Sequence, residues 1–123
     1  FAYSSPNETE FGTPNVADRA AGYGIPAKII DGNDIYEVID VMHEACESAR
    51  EGNGPSLIEL VTFRHYGHAG HDPAEYVNEE VRDFWMKRYP IARFEDSLVE
   101  EGLFSTEQFV SLAEDLEAEI REA

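Results

Sequence analysis

Two short apolar runs on either side of one amphipathic segment constrain the fold of this chain more than any other feature. The run at residues 27–32 is aliphatic and ends in the turn residues Asp31 and Gly32, which is typical of a short strand. The run at residues 55–63 is nearly continuously apolar, as in a strand with both faces covered. Between them, residues 34–50 repeat apolar side chains at steps of three and four, as a helix with one buried face does. A strand, a helix and a strand with short joins predict a right-handed parallel crossover unit and therefore an α/β fold.

The helix predicted for residues 34–50 has recognisable ends and one apolar stripe. Asp34, followed by Glu37, is close to a capping box, and Gly52 can end the helix. Because Cys46 lies on the stripe, we expect it to pack in the core. The stripe consists of Ile35, Val38, Ile39, Met42, Ala45, Cys46 and Ala49.

The segment before this unit has less regular structure, and the segment after it is predicted to be helical. Residues 1–15 have loop composition, and residues 13–24 contain a short helix that Thr13 or Asn15 can cap. A helix is predicted within residues 78–89. We therefore expect an α/β part, residues 1–77, followed by a helical extension, residues 78–123.

The helical extension carries its own start and stop signals. Pro90 separates the helix before it from a second helix, which Gly102 ends. The last helix begins at a capping box made by Ser105 and Gln108, with Phe104 and Phe109 as a hydrophobic staple. These local signals predict three helices in this half of the chain.

The composition restricts the possible partners and the compartment. With 26 acidic and nine basic residues the net charge is −17, which argues against nucleic acid because phosphates would be repelled. A lysine-poor acidic surface suits a halophilic, salt-rich cytoplasm, although it is also compatible with an acidic tail that only keeps the chain soluble. No apolar run approaches the ~20 residues of a membrane span, and no signal peptide opens the chain. The single cysteine favours a reducing, cytoplasmic compartment.

The stretch "FRHYGHAGHDPAEY" places three of the four histidines within seven residues. It follows the second predicted strand, and ligand sites of open α/β sheets gather at the carboxyl ends of strands. His65, His68, His71 and Asp72 could bind a metal ion, although their spacing matches no known zinc motif. Catalysis and a solvated polar loop are the other two interpretations, and the residues alone leave all three open.

Five motifs at fixed separations carry a family resemblance over essentially all 123 residues. They are "ADRAAGYGIP", "DGND", "GPSLIEL", "R-x-x-GH-x-x-x-DP-x-x-Y" and "W-x-K-R-x-PI-x-RF". Together they resemble the alpha subunit of thiamine-diphosphate-dependent dehydrogenases. This family forms the first component of the pyruvate, branched-chain 2-oxoacid and acetoin dehydrogenase complexes. The resemblance implies the C-terminal portion of such a subunit, with the end of its thiamine-diphosphate-binding fold (parallel strands with crossover helices) and a helical tail.

The resemblance also implies roles for individual residues. His68 matches the loop histidine that reaches the cofactor and takes part in acyl transfer to lipoamide. Arg64 matches the arginine that holds this loop, residues 64–77, near the diphosphate. The backbone carbonyl of Phe1 matches a magnesium ligand, whereas His65 and His71 only help to shape the loop.

The implied cofactors are thiamine diphosphate and Mg²⁺, and both require residues outside this chain. The implied partners are the beta subunit, a second alpha subunit (a heterotetramer) and the lipoyl-bearing acyltransferase component, with no nucleic acid or membrane among them. The substrate would be a 2-oxoacid, pyruvate first, with branched-chain 2-oxoacids and acetoin left open. The chain starts with Phe and two strands make a poor sheet, so we expect part of a longer protein that is inactive when isolated. A non-catalytic acidic interaction module and a small metal-dependent hydrolase are the competing functions.

Three positions depart from the family pattern. Separately, the loop has no apolar anchor between Gly67 and Pro73. Ala69 stands where many relatives carry a regulatory serine, which precludes phosphorylation there. Val77 replaces an arginine that anchors the loop, and Tyr89 replaces a frequent aspartate. Because ordering a glycine-containing loop costs on the order of 1 kcal/mol per residue, we expect residues 66–74 to be mobile without cofactor and to close when it binds.

Overall fold

The computed structural model describes residues 3–123, and the parallel crossover unit predicted from the sequence is present. Strands Ala27–Asp31 and Leu57–Val61 pair in parallel, with Ala27 opposite Leu57 and Asp31 opposite Val61. In chain order the elements are α1 (Asn7–Glu10), a 3-10 helix (Val16–Arg19), α2 (Ala20–Tyr23), β1 (Ala27–Asp31), α3 (Ile35–Arg50), β2 (Leu57–Val61), α4 (Glu79–Met86), α5 (Pro90–Glu100) and α6 (Thr106–Glu122).

The start of α3 is tied both to its own first turn and to the preceding strand. The Asp34 carboxylate accepts hydrogen bonds from the N–H groups of Tyr36 and Glu37, both at 3.1 Å, as an N-cap does. The Glu37 carboxylate accepts the N–H of Asp31 at 3.1 Å, so it joins the helix to the end of β1. This arrangement fixes the carboxyl end of β1, which pairs with the carboxyl end of β2.

The apolar stripe predicted for α3 is wrong about which side chains are buried. Val41, which was not part of the stripe, is 8% exposed and faces the sheet, whereas Ile39 and Met42 are 56% and 44% exposed. Cys46 is exposed as well, so its predicted place in the core is incorrect. The apolar arc of α3 is wider than one stripe, and the two described strands cover only one flank of it.

The short helices before β1 contact the second face of the sheet, the face that carries Glu59. Ala17 and Ala20 are buried there, and the N–H of Ala17 donates to the Glu59 carboxylate on β2 at 2.8 Å. Ile29 and Leu60, which lie on opposite faces of the sheet, nevertheless remain 46% and 42% exposed. The expectation that both faces of the strands are covered is therefore not met within residues 3–123.

The N-terminal segment contains more regular structure than its composition predicted. The helix turn α1 lies within a range predicted as loop, where the N–H of Phe11 donates to the carbonyl of Asn7 at 3.0 Å. The short helix predicted within residues 13–24 is confirmed as the 3-10 helix and α2, with Asn15 as its N-cap. It ends at Gly24, whose φ of 68° is the left-handed conformation that favours glycine.

The described chain divides into two compact units between Tyr89 and Pro90. The first unit holds the sheet together with α4, so compactness groups this helix with the α/β elements; the functional division at residue 77 stays a prediction. In the second unit the capping box of Ser105 and the contact between Phe104 and Phe109, with ring centroids 5.1 Å apart, are confirmed. Within residues 3–123, no helix combines the length and apolar character that a bilayer crossing requires.

Candidate functional site

Two residues, Thr62 and Phe63, separate the carboxyl end of β2 from the histidine loop, residues 64–77. The turn that follows β1 lies beside it, because the N–H of Gly32 donates to the carbonyl of Val61 at 2.8 Å. A Cβ atom on Gly32 would lie 3.1 Å from that carbonyl oxygen and from the Leu60 side chain, so the close approach favours glycine. The loop therefore lies at the edge of the sheet where α/β proteins place ligands.

The Asp72 carboxylate organises the loop. It accepts the N–H of His68 at 2.7 Å, the N–H of Ala74 at 2.9 Å and the hydroxyl of Tyr76 at 2.8 Å. The two backbone hydrogen bonds hold the pKa of Asp72 below its ordinary value, helped by the Tyr76 hydroxyl and the charge of Arg64. Asp72 is therefore ionised at neutral pH and fixes the two ends of a tight turn.

Gly67 allows this turn to close. A Cβ atom at this position would lie 2.0 Å from the Asp72 carbonyl oxygen and 2.7 Å from the Asp72 Cβ and Cγ atoms. No side chain fits at these distances, whereas a Cβ on Gly70 would have nothing within 4 Å. Of the two glycines in the loop, only Gly67 is required by close packing.

Arg64 joins the loop to the N-terminal segment and to the Asp72 network. Its guanidinium donates to the carbonyl of Tyr66 at 3.0 Å and to the carbonyl of Tyr3 and the hydroxyl of Tyr76, both at 2.9 Å. These acceptors are neutral, so the hydrogen bonds do not themselves neutralise the cation. Burial and the Asp72 carboxylate raise the pKa of Tyr76, which keeps its hydroxyl protonated as a donor to Asp72.

His68 lies next to Arg64 and is exposed. Its Nδ1 atom is 3.5 Å from Nη1 of Arg64, and its ring centroid is 4.7 Å from that of Tyr3. The backbone of His68 is held by Asp72, so its position is set although its ring remains accessible. The structure thus brings together the two residues that the resemblance assigned to cofactor binding.

His65 is a packing residue at the base of the loop. Its ring makes edge contacts with the rings of Phe63 and Tyr89, at centroid distances of 5.5 and 5.0 Å. Its Nδ1 atom is 3.2 Å from the sulfur of Met86. His71, by contrast, is exposed at the tip of the loop. The hypothesis that His65 and His71 only shape the loop fits the packing of His65. Tyr89, one of the departures from the family pattern, takes part in the same packing through its ring contact with His65.

Two predicted ligand sets have different outcomes. The carbonyl of Phe1, predicted to bind magnesium, lies outside the described residues. Over residues 3–123, no three His, Cys, Asp or Glu side chains converge in a way that could hold a metal ion. The imidazoles of the histidine loop are therefore not arranged as a shared metal site.

The sequence interpretation missed the central place of Asp72 and the roles of Tyr76 and Tyr3. A signal for Asp72 was present, because an aspartate followed by proline favours an Asx-turn in which its carboxylate accepts the N–H two residues later. That hydrogen bond, to Ala74, is observed. The loop thus has polar anchors that offset part of its ordering cost, so cofactor contacts are not its only source of order. Its mobility without cofactor remains a prediction.

Comparison with known proteins places this α/β chain in a family. The model described as "Dehydrogenase E1 component" matches residues 1–123, and the chain belongs to that family. Among its curated relatives are "3-methyl-2-oxobutanoate dehydrogenase subunit alpha" of Mycobacterium tuberculosis, 39% identical over 127 residues, and "Pyruvate dehydrogenase E1 component subunit alpha" of Bacillus subtilis, 37% identical over 125 residues. A third, "2-oxoisovalerate dehydrogenase subunit alpha" of Bacillus subtilis, is 35% identical over 124 residues.

These alignments cover the whole of this chain but only part of each relative. They span 100% of the chain in all three cases, and 35%, 34% and 38% of the respective relatives. The chain therefore spans about a third of the length of the curated relatives it matches. The family membership is shown by sequence, whereas the substrate is not, because the names of the relatives cover pyruvate and branched-chain 2-oxoacids.

Proposed function

We propose that this chain is part of the alpha subunit of a thiamine-diphosphate-dependent 2-oxoacid dehydrogenase. The enzyme would decarboxylate a 2-oxoacid oxidatively, pyruvate in the first instance, and transfer the acyl group to lipoamide. The observation that carries this proposal is the side-by-side placement of Arg64 and His68 at the carboxyl end of β2, on a turn held by Asp72. The chain would contribute to catalysis within an assembly and be inactive alone.

The charge and geometry of the loop suit a diphosphate. The guanidinium of Arg64 is a planar cation with several donors, a group that recognises phosphate oxygens well. In a chain with a net charge of −17, a cation whose described hydrogen bonds go to neutral oxygens is a specific attraction for an anion. Arg64 and His68 would hold the cofactor, together with Mg²⁺ bound by residues that include the Phe1 carbonyl. Bound thiamine diphosphate would supply the carbanion chemistry needed for decarboxylation.

The residues of this chain would position groups and move protons. Arg64 would orient His68 through its contact with Nδ1, and Asp72 would keep the backbone of His68 in place. An imidazole ring has one nitrogen that can accept a proton and one that can donate it, so His68 could act as a general acid and base while the acyl group passes to the lipoyl arm. The proposed partners are the beta subunit, a second alpha subunit and the lipoyl-bearing acyltransferase component, all in the cytoplasm.

A pair of histidine variants in the assembled enzyme tests the role of His68. We expect His68→Ala to impair acyl transfer to lipoamide more than decarboxylation measured with an artificial electron acceptor, because only the first needs the proton shuttle. His71→Ala is the matched control, since His71 is an exposed histidine of the same loop. Equal losses with both acceptors for His68→Ala, or equal damage from His71→Ala, would contradict the assignment.

The substrate is tested separately by kinetics. A screen of the assembled enzyme against pyruvate, a branched-chain 2-oxoacid and acetoin should give the highest kcat/KM for pyruvate. A clear preference for either alternative would replace pyruvate and leave the family assignment unchanged. A lack of turnover of all three compounds would favour the non-catalytic interaction module instead.

A further inference from the structure

We propose that helix α4 holds the histidine loop at both ends, with Arg82 as a positioning residue for His68. The catalytic role of His68 rests on the proposed function, whereas the contacts between α4 and the loop do not depend on it. α4 follows the loop directly in the chain, and the family motifs identified in the sequence do not include Arg82. The argument depends on where the helix contacts the loop and on where the helix itself is fixed.

The first end of the loop packs against the last turn of α4 and the residues just after it. The rings of Phe63 and Trp85 stack with their centroids 5.9 Å apart and an interplanar angle of 8°. His65 contacts the Met86 sulfur and the Tyr89 ring, as described above. These contacts are aromatic and apolar, so they fix the direction in which the chain leaves β2.

The second end of the loop is fixed by a polar contact from the same helix. A guanidinium nitrogen of Arg82 donates to the carbonyl of Ala74 at 2.8 Å. Ala74 is 7% exposed and has a φ of 54°, a left-handed conformation that alanine rarely adopts. Its N–H donates to Asp72, and its carbonyl also accepts the N–H of Val77 at 3.1 Å. A side chain therefore contacts each backbone polar group of Ala74. Arg82 thereby stabilises the backbone conformation that closes the Asp72 turn.

Between these two ends the helix and the loop do not fill the space. A cleft of about 530 Å³ lies there, lined among others by Gly67, Asp72 and Pro73 on the loop side and by Arg82 on the helix side. The middle of the loop is therefore not packed directly onto α4. A helix that contacts only the two ends sets the span and tilt of the loop, while the segment that carries His68 keeps room to adjust.

The chain just after α4 is fixed to the strand ends. Asn33 is 2% exposed; its amide donates to the carbonyl of Arg88 at 2.9 Å and accepts the hydroxyl of Thr62 at 2.6 Å. Arg88 also forms an ion pair with Asp31 at the end of β1. Because Asp31 at the end of β1 and Asn33 in the turn after it hold this segment, α4 links the position of the sheet to the far end of the loop.

The test is hydrogen exchange measured by mass spectrometry on the full-length protein in its assembly, without and with thiamine diphosphate. Arg82→Met removes the donor and keeps an extended side chain. We expect the amides of residues 66–74 to exchange about fivefold faster, which corresponds to the roughly 1 kcal/mol of one hydrogen bond at 1.4 kcal/mol per factor of ten. The KM for thiamine diphosphate should rise by a similar factor. Arg121→Met is the matched control, because Arg121 pairs with Glu117 on α6.

A second variant tests the other end and does not depend on Arg82→Met being well folded. Met86→Ala, at a side chain that is 51% exposed, should accelerate exchange at residues 64–68, and Met42→Ala on α3 is its control. Unchanged loop exchange in both variants would overturn the proposal. Equally faster exchange in β1 and β2 would also overturn it, because that indicates general destabilisation. A wild-type assembly that does not bind thiamine diphosphate would refute the proposed function but leave the exchange comparison valid.

Discussion

Replacing Gly67 by alanine should disable the histidine loop while leaving the rest of the fold intact. The added Cβ atom would lie 2.0 Å from the carbonyl oxygen of Asp72, and real Cβ contacts are essentially never shorter than 3.0 Å. The two residues must therefore move apart by at least 1 Å. The clashing atoms belong to the backbone and the first side-chain carbons of Asp72, so a change of side-chain rotamer cannot relieve the contact.

The size of this movement decides its effect. The hydrogen bond from the His68 N–H to Asp72 is 2.7 Å long, and a further 1 Å takes it beyond hydrogen-bonding distance. Forcing an extra methyl group into a packed site typically costs about 1–3 kcal/mol, here mostly as loss of the ordered turn. A displacement of about 1 Å in a positioning element can reduce an enzymatic rate by about 100-fold. We therefore expect kcat/KM to fall by up to that factor.

The assay compares Gly67→Ala with Gly70→Ala in the assembled enzyme. Gly70 is the matched control, because a Cβ there would have nothing within 4 Å and its backbone is not in the left-handed region. We would measure kcat/KM for the 2-oxoacid, the KM for thiamine diphosphate and the thermal midpoint. The reasoning is refuted if Gly67→Ala behaves like wild type, or if Gly70→Ala is equally damaging.

Three further predictions concern acidity, capping and salt. Folding lowers the pKa of Asp72, so the stability that this carboxylate contributes is fully present above the ordinary carboxyl pKa and is lost as the pH falls through the lowered value. Protection of residues 66–74 from hydrogen exchange should therefore persist to below about pH 4. Loss of that protection near neutral pH would contradict the role of Asp72. Ser105→Ala removes the side-chain acceptor for the N–H of Gln108. It should lower the free energy of unfolding, measured by urea titration, by about 1 kcal/mol. Ser111→Ala, inside α6, is the control and should leave that free energy unchanged. If the charge of −17 is a halophilic adaptation, raising potassium chloride from about 0.2 M to 1 M, where the Debye length is ~3 Å, should raise the thermal midpoint, and a flat midpoint would exclude the idea.

Short-range signals in the sequence were enough to predict most of the elements. The caps at Asp34 and Ser105 were predicted correctly, because each lies within three residues of the backbone N–H groups that it accepts. For the first helix the sequence left Thr13 and Asn15 as alternatives, and the structure has Asn15 as the N-cap. The parallel pairing of β1 and β2 followed from the helix between them. The position of the loop at the carboxyl end of β2 followed from the same pattern, and the family resemblance singled out Arg64 and His68 within it.

The burial pattern of α3 shows where this reasoning fails. Apolar residues occupy a wide arc of the helix, so periodicity alone could not choose between the side that carries Val41 and the side that carries Ile39 and Cys46. Only the position of the two strands makes that choice. Which face of a helix is buried depends on how many elements pack against it, and the sequence of one helix does not contain that information.

What the sequence determined by itself is therefore the local architecture: where helices and strands begin and end, and which loop carries the histidines. What only the tertiary structure decided is how that loop is held. Arg64 reaches the carbonyl of Tyr3 across 61 positions, and Asn33 reaches the carbonyl of Arg88 across 55. Such contacts depend on the path of the whole chain, since side chains distant in sequence meet only after the strands and helices have packed.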